Sequence, residues 1–329
     1  MVPEIKIALT CMNRVHYLKY SATIMRLIVA TCQFPVDADI RSNTEYVLWQ
    51  MRHAKARGAD VAHFPETCLS GYAGVDFASY RRFDWNLLAE CTPRVLDLAR
   101  ELKLWLVVGS THRLTGRHKP HDSLYIVDDD GKLVDRYDKM FCAGDHNGKV
   151  GDLAHYSPGN HFAVFDLNGV RCGALICHEY RYPELYREYK KRGVDLIFHS
   201  YHAGHVTPKR LKALEAQVGA TFYKYNPART LPGITMPAAM HAAAASSHVW
   251  ISCSNTSARE SCWPSFFVRP DGVITGSLRR NTAGILFSTV DTDARLYDST
   301  FAWRDRAMRG VFHSGEIVKD PRSSQRRRL

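Results

Sequence analysis

Residues 170–184 read V-R-C-G-A-L-I-C-H-E-Y-R-Y-P-E, and the fold turns on how this stretch divides. Val170 to Ile176 is an apolar, partly β-branched run launched from the Asn168-Gly169 pair, the pattern of a buried strand after a turn. Pro183 and the charged residues behind it (Glu184, Arg187, Glu188, Lys190, Lys191) open a helix that Gly193 stops. Cys177 is thereby placed at the carboxyl end of a strand, where the chain turns sharply toward a helix. Open α/β sheets keep their ligand sites at such ends.

A thiol needs help to attack, because the thiolate is the nucleophile and nearby charges and bases set its protonation. His178 and Glu179 adjoin Cys177, but neighbouring side chains in extended or helical backbone do not face one another. Partners are expected from other strand ends. Glu66 follows the strand-like Val61 to Phe64 and the stop at Pro65. Lys139 ends an alternating run that begins after the Asp130-Gly131 turn. Each of the three is a reactive side chain just beyond an apolar β run.

Phe64-Pro65-Glu66 with Gly71-Tyr72, then Tyr137-Asp138-Lys139, then Ile176-Cys177 with Arg181-Tyr182-Pro183-Glu184, resemble the three signature segments of the nitrilase superfamily of carbon–nitrogen hydrolases. The order and gaps suit that family, and the resemblance runs from about Met25 to about Arg309. It implies a single-domain α/β fold, the four-layer α-β-β-α sandwich, which commonly dimerises through its helical face. It also implies a reaction. Cys177 attacks an amide or nitrile carbon, Glu66 moves protons, and Lys139 with the backbone N–H of His178 stabilises the oxyanion. The ordinary alternatives are a buried structural cysteine, a surface carboxylate and a surface lysine with a snorkelling stem.

Amidase-type members of that family use a second glutamate shortly before a Y-x-P-G segment. Here the segment is Tyr156-Ser157-Pro158-Gly159, and the nearest carboxylate is Asp152, one methylene shorter. His199, His202 and His205 invite a metal reading, but they run from a strand into a Gly-containing loop without Cys or Glu ligands. The family needs neither metal nor other cofactor. That loop leaves the strand beside Cys177, so His202, with Tyr72 and Arg181, is read as lining the substrate pocket.

Composition limits the alternatives. The chain has 329 residues, 45% of them hydrophobic, enough for a sizeable core. Its formal charge is +11, part of it in the Arg326-Arg327-Arg328 tail, a solvated run rather than a nucleic-acid surface. Nine cysteines include no C-x-x-C pair, and Cys32, Cys172 and Cys253 lie in apolar runs where a free thiol acts as a small hydrophobe. This composition suits a reducing, cytoplasmic setting. No stretch approaches the roughly 20 apolar residues of a membrane span.

Residues 1–24 show no clear period and are read as a non-catalytic extension; a chain beginning at Met25 is expected to keep its activity. The hydrolase domain is assigned to residues 25–309 and a basic tail to 310–329. Helices are expected over 43–57 (capped by Asn43), from Thr92-Pro93 to Leu102, over 207–218 and over 237–247, with 222–235 a loop. Strands are expected at 26–34, 61–64, 104–110, 123–127, 132–138, 161–167, 194–200, 249–254, 265–268, 273–277 and 284–290, besides 170–176. The expected function is hydrolysis of a small linear amide, of ω-amidase or carbamoyl-amide type, by a homodimer or larger homo-oligomer. A nitrilase, or a silent member acting as an interaction protein, are the rivals. An amidotransferase subunit would need a synthetase domain that these residues do not supply.

Overall fold

The computed structural model describes residues 26–145 and 147–327. The expectation for residues 1–24, and Cys11 with it, lies outside the described residues. Twelve strands are described: β1 (Arg26–Gln33), β2 (Val61–His63), β3 (Trp105–His112), β4 (His121–Val127), β5 (Leu133–Asp138), β6 (Val164–Leu167), β7 (Val170–Ile176), β8 (Leu196–Tyr201), β9 (Trp250–Asn255), β10 (Phe266–Val268), β11 (Ile274–Ser277) and β12 (Gly284–Asp291). They form two six-stranded sheets, ordered β12-β1-β2-β3-β4-β5 and β11-β10-β9-β8-β7-β6. Each sheet has a parallel trio at its centre (β1-β2-β3, β7-β8-β9) flanked by antiparallel strands.

The central strands are buried on both faces, so their residues alternate between two apolar environments rather than between oil and water. On β1, Leu27 and Val29 join the core between the sheets, while Ala30 and Cys32 join the core beneath the helices. On β3, Val107 faces inward and Leu106 and Val108 outward. Helices α1 (Ile40–Ala56) and α2 (Trp85–Leu102) cover the first sheet. Helices α3 (Pro183–Lys191) and α5 (Leu231–Ser247) cover the second, packing Tyr186, Tyr189, Met236 and Met240 onto it. The result is the expected α-β-β-α sandwich. Between the sheets runs one polar seam: the His63 ring bridges Ser252 Oγ (2.8 Å) and Ser200 Oγ (2.9 Å), and Thr31 bonds Ser252 at 2.7 Å.

Three helix starts differ from expectation. The cap of α1 is Asp39, whose carboxylate accepts from Arg41 and Ser42 N–H; Asn43 is buried and clips the main chain of Asp37 instead. Helix α2 begins at Trp85 under the Asp84 cap, leaving Pro93 inside it. An interior proline costs about 3 kcal/mol, and the buried face of Leu88, Cys91, Val95 and Leu98 on both sides of it offsets that. Helix α5 begins at Leu231 under Thr230, with Pro232 in its first turn and Pro237 inside, so part of the expected loop is helical. Helix α4 (Pro208–Val218), capped by Thr207, is as expected. The eight described cysteines are unpaired, and Cys32, Cys172 and Cys253 are buried in the cores. Among the described residues no helix is long and apolar enough to cross a membrane. Residues 310–327 are exposed throughout.

Candidate active site

Glu66, Lys139 and Cys177 each stand just past a strand: β2 ends at His63, β5 at Asp138 and β7 at Ile176. Two of these corners need unusual backbone. Cys177 has φ +43° and Thr67, directly after Glu66, has φ +48°. The left-handed region disfavours side-chain-bearing residues, and such strain gathers at functional positions. The Glu66 corner is also pressed against β3. A Cβ on Gly109 would lie 2.2 Å from Pro65 O and 2.5 Å from Thr67 N, so only glycine lets the corner sit where it does.

The lysine is the hub. Lys139 Nζ donates to Glu66 Oε1 at 2.6 Å, lies 2.8 Å from Asp152 Oδ2 and reaches Asp122 Oδ2 at 3.3 Å. All four side chains are shut away from water. Burial pushes the ammonium toward its neutral form, but Asp152, Glu66 and Asp122 outweigh it and hold the Lys139 pKa well above the usual lysine value. Tyr72 lies beneath, its ring 5.7 Å from Nζ and its hydroxyl bonded to Asp152 Oδ1. Asp152 also accepts from Ala143 N–H at 2.7 Å. Burial raises the Asp152 carboxyl, yet Lys139, Tyr72 and Ala143 together hold it below the ordinary aspartate value, so it is ionised.

Cys177 is partly exposed. Burial, followed by the charge of Glu66, raises its thiol well above the usual value; Lys139 and the His202 N–H pull the other way. The resting sulfur is therefore a thiol whose proton needs an acceptor. Glu66 is the carboxylate it feels most, fixed by Lys139 on one oxygen and by His202 N–H (2.7 Å) on the other.

The residues beside Cys177 do different work. Glu179 is buried: Oε1 accepts from Tyr137 OH (2.7 Å), Met140 N–H (2.8 Å) and Phe141 N–H (3.2 Å), and Oε2 from Ile176 N–H (2.7 Å). It ties the loop after Lys139 to the corner of Cys177, and burial pushes its carboxyl up to about 7 against those four donors. His178 is partly exposed, and burial and the neighbouring Arg181 and Lys139 charges lower its pKa to about 4, so it is neutral. Its N–H lies in the first turn of the 3-10 segment Cys177–Arg181, where donors have no acceptor within the helix.

The expected pocket residues separate. Tyr72 touches the lysine hub. His202 brings its N–H, while its ring is buried, stacked on Tyr72 at 5.1 Å with Nε2 2.9 Å from Asp76. Arg181 stands outside the hub, over the Tyr180 ring at 4.6 Å and bonded through Nε to His178 at 3.3 Å. The three histidines serve three surroundings: His199, on β8, bonds Tyr186 OH, His202 stacks on Tyr72, and His205 reaches Val36 O and Asp76.

Asp122 is the residue the sequence reading missed. Burial and the nearby Glu66 carboxylate raise its pKa well above the usual aspartate range. A signal existed. The β4–β5 hairpin pairs Ser123 with Asp138, and one further step sets Asp122 opposite Lys139, whose N–H bonds Asp122 O at 2.9 Å.

The carbon–nitrogen hydrolase family matches residues 28–297. An omega-amidase of Homo sapiens is 29% identical over 150 residues, 45% of this chain and 53% of that protein. A deaminated glutathione amidase of Yersinia enterocolitica is 28% identical over 177 residues, covering 51% and 60%. The chain thus spans roughly half the length of the curated relatives it matches. Among solved structures, an amidase from Nesterenkonia sp. superposes with TM-score 0.63 at 20% identity, over 82% of this chain and 93% of that one. A cysteine-to-alanine mutant of the Nesterenkonia AN1 amidase, from the nitrilase superfamily, gives 0.65 at 19% identity, over 86% and 96%.

Proposed function

The chain belongs to the carbon–nitrogen hydrolase family, and from that premise we propose that it hydrolyses the C–N bond of a small linear amide through a cysteine thioester. The observation that carries the proposal is the buried Lys139 ammonium shared by Glu66 and Asp152 beside the Cys177 corner. Cys177 Sγ attacks the amide carbon while its proton passes to Glu66. Lys139, with His178 N–H, donates to the oxygen as it gains negative charge. Glu66 returns the proton to the departing nitrogen, ammonia leaves, and a thioester remains. Glu66 then takes a proton from water, which attacks the thioester and releases the acid, and Glu66 returns the proton to the departing Cys177 sulfur.

In this reading Asp152 serves as the second acid. It keeps Lys139 charged and aimed, as the family's glutamate would. Lys139 in the resting site spends its donors on three carboxyl groups, and the longest contact, 3.3 Å to Asp122, is the one that yields to the oxyanion. Tyr72 and the His202 main chain frame the substrate, with Arg181 at the outer margin. The unpaired thiols suit a reducing cytoplasm. The exposed apolar residues Phe301, Phe312, Ile317 and Val318 suit a homo-oligomer, whose mass light scattering measures.

The test is ammonia release from matched panels of linear amides, carbamoyl compounds and nitriles. The proposal expects turnover of amides and little of the nitriles. Nitriles cleaved as fast as amides would make the chain a nitrilase, and no turnover anywhere would make it a silent member of the family.

A further inference from the structure

A cleft lies against the segment that follows Asp152. Its walls are the β3–β4 connection and the turn that follows Asp152, and its volume is about 290 Å³. Arg113, Arg117, His118 and Lys119 come from the connection and His155 from the turn; Tyr80 and Trp85 supply flat apolar surface. No acidic side chain lines it among the described residues, and neither arginine has a carboxylate partner there. Tyr80 and Trp85 stack at 5.4 Å, and the Arg113 guanidinium lies 5.3 Å over the Trp85 ring.

Like charges on one short loop repel one another; the Trp85 ring under Arg113 and the Leu153 carbonyl at Lys119 relieve part of this, but no carboxylate among the lining residues does. An anion would, and guanidinium groups hold phosphate or carboxylate oxygens in pairs. The half-buried Tyr80–Trp85 pair adds a surface suited to a flat ring. We propose that this cleft binds a small anionic ligand carrying an aromatic ring, of the phosphate-bearing aryl or mononucleotide class, at a site separate from Cys177.

The cleft is mechanically joined to the catalytic hub. Lys119 Nζ donates to Leu153 O at 2.5 Å, Ser157 N–H to Pro120 O at 2.8 Å, and Ser157 Oγ to Lys119 O at 2.8 Å. These bonds lace the basic loop to the segment that carries Asp152. A run of aromatic contacts follows the same route: Trp85 to Tyr80, Tyr80 to Tyr156 (5.7 Å) and Tyr156 to Tyr72 (5.7 Å), whose hydroxyl holds Asp152.

The experiment is calorimetric titration of the full chain with AMP as probe, with adenosine and inorganic phosphate as its two halves. It is repeated on Cys177→Ala and on Arg113→Gln/Arg117→Gln, whose replaced side chains are exposed. AMP is expected to bind more tightly than either half, equally to wild type and Cys177→Ala, and about tenfold or more weakly to the double variant. Added salt should weaken binding. Equal affinity for AMP and adenosine, phosphate binding as tight as AMP, an unaffected double variant, or no heat with any probe would each overturn the proposal. Because the readout is heat of binding on a protein lacking the thiol, its failure is separable from failure of the hydrolase reading.

Discussion

Glu66 Oε1 and Lys139 Nζ lie 2.6 Å apart, 73 residues apart in the chain, with both side chains closed to solvent. Burying one such charge alone is prohibitive, and breaking a buried pair from one side costs about 3–5 kcal/mol. The two partners therefore differ in what their loss should do. Lys139→Ala leaves Glu66 and Asp152 uncompensated and should lower stability by about that amount as well as abolish turnover. Glu66→Gln keeps the shape and an acceptor for Lys139. Its NH2 then faces the His202 N–H, so the variant should lose some stability, less than Lys139→Ala does, while losing roughly 10²–10⁴ in rate with the base. Denaturant midpoints and single-turnover rates on the two variants separate these outcomes.

Asp152 is fitted to its corner at aspartate length, with Lys139, Tyr72 and Ala143 N–H all closing on it. Lengthening it should not help. Asp152→Glu is expected to overpack the corner at a cost of about 1–3 kcal/mol and to reduce kcat, as Asp152→Asn should by removing the charge. A faster Asp152→Glu enzyme would show that the corner is looser than described.

Gly109→Ala is a test of the site made from outside it. The added methyl meets backbone of Pro65 and Thr67, not a side chain that can swing away. The Glu66 corner must shift, and a displacement near 1 Å can cost about 10²-fold in rate. The expectation is a fall in kcat with the secondary structure retained by circular dichroism.

Two buried histidines make part of the stability acid-sensitive. Burial holds His63 at about 3, and burial, aided by the Lys139 charge, holds His199 well below the ordinary histidine value. Both are neutral when folded but charge in the unfolded chain near pH 6.5. At these two rings the unfolded state binds more protons below that pH, so their contribution to stability falls as pH falls. Glu179, held up to about 7 when folded, takes its proton first in the native state and gives the opposite slope between pH 7 and its unfolded range. The loss is about 1.4 kcal/mol per pH unit for each histidine, continuing toward pH 3 for His63. Urea midpoints at pH 7, 6 and 5 on the parent and on His63→Gln isolate this part: the stability of the parent relative to the variant should fall as pH falls.

Much of this was legible in the chain because strands announce themselves by period and by what stops them. The run Val170–Ile176 matches its strand residue for residue, and Glu66, Lys139 and Cys177 stand just past strand ends as read. Helix starts were harder. Proline at 93 and 237 reads as a beginning or a break, yet tertiary packing carries both helices through it, so α2 and α5 start upstream. Asp122 was hidden for another reason. It carries no motif and matters only through hairpin register, which sets it opposite Lys139. The alternation of Glu179 from apparent triad partner to buried anchor follows from geometry that neighbouring residues cannot share.

The central claim is that Cys177 forms a thioester while Glu66 and Lys139 serve it. Intact-mass analysis of the protein quenched during turnover of a reactive linear amide tests this most directly. The account predicts an added mass equal to the acyl group, accumulating further in Glu66→Gln if deacylation slows more than acylation, and absent from Cys177→Ala. An adduct that persists in Cys177→Ala, or turnover by that variant at the parent's rate, would contradict it.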